Sequence, residues 1–326
     1  MGSMLVLLDL YHFSSHFSHP SNSMYELLSP KQVAQALQVS ESSVKRWCDK
    51  GSIHTTYTDG GHRRIRLVDL AGFVRTNSLT IRDYSPIGLM HKSAESGDLQ
   101  ADALAMTESL LSGDESRCYQ IVIELFLAKR KISQICDDVL AQAFHKIGDR
   151  WVCGEAEIYQ ERRGCRIAQR VLARLHAAVP DPRPDAPLAL GCSTTGDHYS
   201  LGSTMAELVF RDSGWRAAAL GEGLPLASLG AAIKDHSPKV VWISCGHIEN
   251  LAEFLTDYHL LYHEHSADVS FVLGGRALTA ELLAHIQFSA HCKSMSELDL
   301  FATMLADKLR QNSGCELPFL SPITDN

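Results

Sequence analysis

The sequence lacks most of what would mark an enzyme, a membrane protein or a secreted scaffold. Its nine Cys (48, 118, 136, 153, 165, 192, 245, 292 and 315) are odd in number and form no C-x-x-C pair. Neither a zinc ribbon nor a disulfide framework is supported, and a reducing, cytoplasmic setting is expected. No apolar run approaches the roughly 20 residues that span a bilayer, so no membrane partner is expected. The opening "MLVLLDLYHF" lacks the basic flank and the small-residue cleavage pattern of a secretory leader. Nucleophile elbow, Walker loop and H-E-x-x-H are absent, so the chain is not expected to be an enzyme. Basic charge is scarce as well. Over 326 residues, 30 Lys and Arg face 38 Asp and Glu, a net charge of −8, which by itself disfavours nucleic acid.

The distribution of charge reverses that last inference for one segment. Residues 24–75 hold eight Lys and Arg against five Asp and Glu, leaving −11 to the remainder. A small basic module on an acidic body is the pattern of a DNA-binding head with a separate regulatory part. Residues 1–23 read as an extension outside the folded part. Residues 24–76 read as one unit. In "LLSPKQVAQAL", Ser29 caps a helix and Pro30 takes its first position. "SESSVKRWCDKG" is a second helix capped by Ser40 and stopped by Gly51. "IHTTYTDGGHRRI" is a hairpin about Asp59-Gly60-Gly61, and "RLVDLAGFVRT" a third helix capped near Asp69. The exposed face of the second helix offers Ser42, Ser43, Lys45 and Arg46 to a major groove, and the hairpin offers His62, Arg63 and Arg64 to phosphates. The plain alternative is a solvated face of an adaptor domain. The run "SPKQVAQALQVSESSVKRWCDKGSIHTTYTDGGHRRI" resembles the MerR-type winged helix-turn-helix, which implies binding to double-stranded promoter DNA.

Residues 77–92 have no clear period and read as a linker, with room for a short helix. Residues 93–179 carry four apolar-periodic stretches, the pattern of a four-helix bundle. "PDPRPDAP" (180–187) is a Pro-rich boundary. Residues 188–310 alternate strand and helix, with strands expected at Leu188–Cys192, Trp215–Leu220, Val240–Ser244 and Val269–Leu273 and a weaker one near His291. Such alternation predicts a doubly wound, flavodoxin-like parallel sheet. Residues 311–326 read as a tail. His263 and His265 read as a solvated pair on an exposed loop.

Ligands of an open α/β sheet lie at the carboxyl ends of its strands. That rule points to "TTGDHYSLG" (194–202), to Ser244 and the following His247, and to Gly274 and Gly275. Winged head, helical bundle and doubly wound domain in this order resemble the CarH family of light-responsive, cobalamin-binding MerR-type regulators. The resemblance implies that cobalamin lies between bundle and sheet. It implies that Trp151 and Glu161 cover its upper face, with Arg162 and Val152 standing where the family has His. It further implies a lower loop of the form Asp/Glu-x-His-x-x-Gly and a nucleotide tail lodged between sheet and helix beside the Ser and the Gly pair. Asp197 and Gly202 match the ends of that loop, Tyr199 stands at the ligand place, and His198 stands one residue before it. Three readings stay open: His198 ligates cobalt from a loop shifted by one, Tyr199 ligates or packs, or the domain holds no cobalamin. The family resemblance also implies adenosylcobalamin as the cofactor and a homo-oligomer, dimer or tetramer, that responds to ligand or light. Competing readings are a sensor of heme or, with no Cys singled out for a thioether, a bilin. A ligand-independent regulator using the α/β part for protein contacts and a corrinoid carrier of a methyltransferase remain further alternatives.

Overall fold

A computed structural model describes residues 27–90 and 98–312. The expected N-terminal extension and nearly all of the tail lie outside the described residues. The head opens with β1 (Leu27–Leu28), α1 (Pro30–Leu37) and α2 (Glu41–Asp49). Ser29 caps α1 through a reciprocal pair with Gln32, and Ser40 caps α2 through the Ser43 N–H. Strands β2 (Thr56–Tyr57) and β3 (Arg63–Arg66) pair antiparallel, with β1 on the other side of β3, and α3 (Leu67–Thr76) follows directly. Asp69 is not the cap expected for α3. Strand β3 runs straight into the helix, Arg66 takes the cap position without a side-chain bond, and Asp69 instead binds the Arg66 guanidinium at 2.7 Å.

The segment expected as a linker is packed as far as residue 90. Ile81, Tyr84, Ile87 and Leu89 are buried, and the N–H groups of Arg82 and Asp83 donate to the Ala36 carbonyl at the end of α1. The bundle comprises α4 (Leu99–Ser112), α5 (Glu115–Leu127), α6 (Gln142–Val152) and α7 (Ile158–Ala178). A helical turn Ile132–Gln134 and a π-helical stretch Ile135–Ala141 run into α6 without a break. Asp98 and Asp114 cap α4 and α5, and Gly113, with φ of 85°, closes α4.

The α/β part has β4 (Leu188–Ser193), α8 (Leu201–Asp212), β5 (Arg216–Ala219), α9 (Leu226–His236), β6 (Val240–Ser244), α10 (Leu251–His265), β7 (Ser270–Gly274), α11 (Ala280–Leu283), β8 (Ala290–His291) and α12 (Met295–Asn312). All neighbouring strands are parallel, in the order β5-β4-β6-β7-β8. That is flavodoxin-like order, with its switch point between β4 and β6. Helices α8 and α12 cover one face, and α9 and α10 the other. The histidine pair does not lie on a loop: α10 extends through His265, which is buried. No helix among the described residues is long and apolar enough to cross a membrane.

Candidate corrinoid and DNA sites

In the head, Val44 and Cys48 bury one face of α2, leaving Ser42, Lys45 and Arg46 exposed on the other. Ser42 and Ser43 share the Ser40 hydroxyl at 2.8 and 2.9 Å, so the helix start is a knot of hydroxyls. Lys45 pairs with Glu41 at 2.8 Å, which holds the Glu41 carboxyl below its ordinary range. Arg46 is exposed and its position at the last turn suits the helix dipole. At the wing, His62 is exposed at the hairpin tip, while Arg63 binds Asp49 at 2.6 Å and lies 5.9 Å from the Tyr57 ring. Arg64 donates to the Arg63 carbonyl at 2.9 Å. Half-exposed Tyr57 beside these cations was missed in the sequence. Its signal was an aromatic two residues before a Gly-rich basic tip.

At the carboxyl ends of β4 and β6, the loop 194–200 folds around Asp197. This carboxylate is fully buried. One oxygen accepts from the Tyr199 N–H at 3.0 Å and the other from the Gly246 N–H at 2.5 Å. Asp197 therefore ties the loop after β4 to the loop after β6. His198 is exposed beside it, and His247 is exposed after β6. Tyr199 is half exposed, with the Arg276 guanidinium 5.0 Å from its ring, and Arg276 donates to the Gly246 carbonyl at 3.1 Å. Ser244 lies beside Gly202, where a Cβ would come within 3.1 Å of its hydroxyl. Gly275 has φ of 113° and stands so close to the Cys245 carbonyl that no side chain fits. Asp197, Tyr199, Gly202, Ser244 and Gly275 thus meet at the switch point.

The bundle reaches this loop through Gln169 on α7, which donates to the Ser200 hydroxyl at 2.6 Å. Eight residues before Gln169, about 12 Å along the helix, stand half-buried Glu161 and exposed Arg162. Burial, with Glu161 nearby, pushes the Cys165 thiol up to about 11, so that sulfur is a neutral packing group at neutral pH. The α6–α7 turn exposes Trp151 at 52%, Val152 at 79%, Ile158 at 52% and Tyr159 at 63%. All four lie within the nine-residue span 151–159, which makes this turn a candidate contact surface. Gln169 and Arg276 were not singled out in the sequence, and nothing in their local pattern distinguishes them from solvated helix and loop residues.

Residues 27–78 match the model of the helix-turn-helix domain family, and residues 104–176 that of the B12 binding domain family. The chain thus carries, in this order, a segment similar to a helix-turn-helix domain and a segment similar to a B12 binding domain. It is 29% identical over 154 residues to the HTH-type transcriptional repressor CarH of Myxococcus xanthus, an alignment covering 46% of this chain and 50% of that protein. The chain therefore matches about half the length of that curated relative. The monomethylamine corrinoid protein of Methanosarcina barkeri superposes with a TM-score of 0.54 at 15% identity, over 63% of this chain and 99% of that one. This likeness shows the shared fold of bundle plus parallel sheet. A cobalamin-binding protein of Desulfitobacterium hafniense matches over 66% and 98% at 19% identity, with a TM-score of 0.35 too low to argue from.

The residues present fit a corrinoid only in part. The bared apolar set on the bundle and the open strand ends suit a flat macrocycle. The lower part does not suit a cofactor held through a carboxylate-oriented histidine with its tail inserted. Asp197 spends both oxygens on backbone N–H groups, Tyr199 stands at the ligand place, and the space between sheet and α8 is filled by Trp242. Among the described residues no cluster of three or more His, Cys, Asp or Glu could hold a metal ion on protein ligands alone.

Proposed function

We propose that the chain is a promoter-binding transcriptional regulator, not an enzyme, whose bundle and α/β part take up a corrinoid and pass its presence to the DNA-binding head. The bared apolar turn at Trp151, Val152, Ile158 and Tyr159 carries this reading. It belongs to a bundle that matches a B12 binding domain, and α7 leads from it to the loop at the sheet's switch point. When bound, the corrinoid supplies a flat apolar disc with a polar rim. Trp151, Glu161 and Arg162 would meet it from the bundle. Asp197, His198, Tyr199, Gly202, Ser244, His247, Gly274 and Gly275 frame the strand ends beneath. His198 in the loop after β4 and His247 in the loop after β6 are exposed imidazoles at these strand ends, and Arg162 has no imidazole nitrogen to offer a metal.

The head would read DNA with Ser42, Ser43, Lys45 and Arg46 in the major groove and His62, Arg63 and Arg64 at the backbone. One winged module gives little affinity, so a homo-oligomer, dimer or tetramer, is part of the proposal. The input is ligand occupancy, which favours one of two assemblies by differential affinity. Adenosylcobalamin is the probe that the family resemblance implies. The test is a DNA titration by fluorescence anisotropy, with and without adenosylcobalamin in the dark, on a duplex selected by the full chain from a random pool. Retention of the corrinoid is read from its absorption.

A further inference from the structure

The sheet face covered by α8 holds a side chain at odds with a tail-accepting slot. Trp242 lies on β6 two residues before Ser244, so the two point to the same face. Its side chain is 3% exposed. Gly191, its register partner on β4, leaves the room the indole needs, since a Cβ there would overlap the ring. The indole Nε1 donates to Ser203 Oγ at 2.9 Å, and the ring stacks on Phe210 at 5.3 Å with 27° between planes. Ser203 and Phe210 both belong to α8, and Ser203 follows Gly202 directly. The indole therefore bridges strand and helix, in the layer directly beneath Ser244 and Gly202.

We propose that Trp242 is a built-in plug. A fused bicycle supplied by the protein occupies the sheet–helix space in which the benzimidazole of a corrinoid tail would lodge. The site accordingly takes the macrocycle and leaves the tail outside. This proposal rests on the corrinoid reading above and narrows the ligand to corrinoids recognised by their ring. Cobalamin keeps its own base on cobalt, and tail-less cobinamide binds as well as cobalamin does. A ligand that had to expel the indole would lose its stack, its N–H bond and its packing on Gly191, a penalty on the order of a hundredfold in affinity or more.

The test uses the full chain and two probes, aquacobalamin and diaquacobinamide, titrated by absorption and calorimetry. Affinities within about threefold of each other are expected. Cob(II)alamin on the protein is expected to show the electron-spin splitting from its own benzimidazole nitrogen, unchanged when the protein's histidines are isotopically labelled. Cobinamide bound at least thirtyfold more weakly than cobalamin, or a base-off spectrum, overturns the plug while leaving the corrinoid reading intact. Binding of neither probe overturns both. Trp242→Leu, checked for folding by its melting curve, is expected to raise the preference for cobalamin over cobinamide at least fivefold. An unchanged preference in a folded variant counts against the plug, and the wild-type comparison decides if the variant does not fold.

Discussion

Asp197 shows how one side chain joins a local turn to a distant loop. Its oxygens accept N–H groups from Tyr199 and from Gly246, two positions that belong to different strand ends. Replacing it with Ala leaves two part-buried N–H donors without a partner, so Asp197→Ala should lower unfolding free energy by about 1–3 kcal/mol. A urea titration checks this, and a loss below about 0.5 kcal/mol contradicts it. Asn recovers only part, because one of its two ends is itself a donor. The sequence singled out Asp197 through its place in "GDHYSLG", but not its double backbone grip, since Gly246 is 49 residues away. Trp242 was illegible for a related reason. "VVWIS" reads as a strand apolar on both faces, and a Trp in such a run is ordinary core. Only the register that sets it opposite Gly191 reveals what space it fills.

Helix starts were the most readable elements because their signal is local. Ser29 and Ser40, read as caps, each bond an N–H within three residues of themselves. The start of α3 was misread because a β3 strand entering without a turn leaves no place for a side-chain cap. The end of α10 was misread because "YHEHSAD" carries polar residues on a helix whose apolar stripe is narrow. The strand alternation of the α/β part was legible, while the strand order was not, since it depends on which faces the crossover helices choose. Arg63 on the wing is held by Asp49 and Lys45 on α2 by Glu41, whereas exposed Arg46 on α2 makes no ion pair among the described residues. Arg46→Ala should weaken DNA binding across sequences and reduce the slope of log affinity against log salt by about 1. Anisotropy titrations at several salt concentrations measure both. Unchanged affinity and slope would remove Arg46 from the interface.

At the scale of the molecule, the head is bolted to the bundle and the α/β part. Arg75 at the end of α3 binds Asp212 of α8 at 2.9 Å, donates to the Arg130 carbonyl at 3.2 Å and covers the Phe126 ring at 4.5 Å. Asp212 also accepts the Ile132 N–H at 3.2 Å. One side chain thus touches head, bundle and α/β part, and Asp137 in the π-helical stretch accepts the N–H groups of Met295 and Ser296 that start α12. Arg75→Ala should cost about 1–3 kcal/mol, because it strands a largely buried carboxylate. It should also speed hydrogen exchange in α3 while leaving β6 and β7 protected. Equal exchange in α3 of both proteins would show that the head is held by other contacts. None of these links could be read in the sequence, since they join residues 55 to 159 positions apart.

The central claim is that corrinoid occupancy and DNA affinity are coupled in this chain. The dark anisotropy titration with and without saturating adenosylcobalamin measures that coupling directly. A change in DNA affinity of at least fivefold is predicted, the lower end of ordinary allosteric coupling, with the corrinoid retained on the protein after desalting. Identical DNA affinity with corrinoid bound, or no corrinoid retained at all, would contradict it.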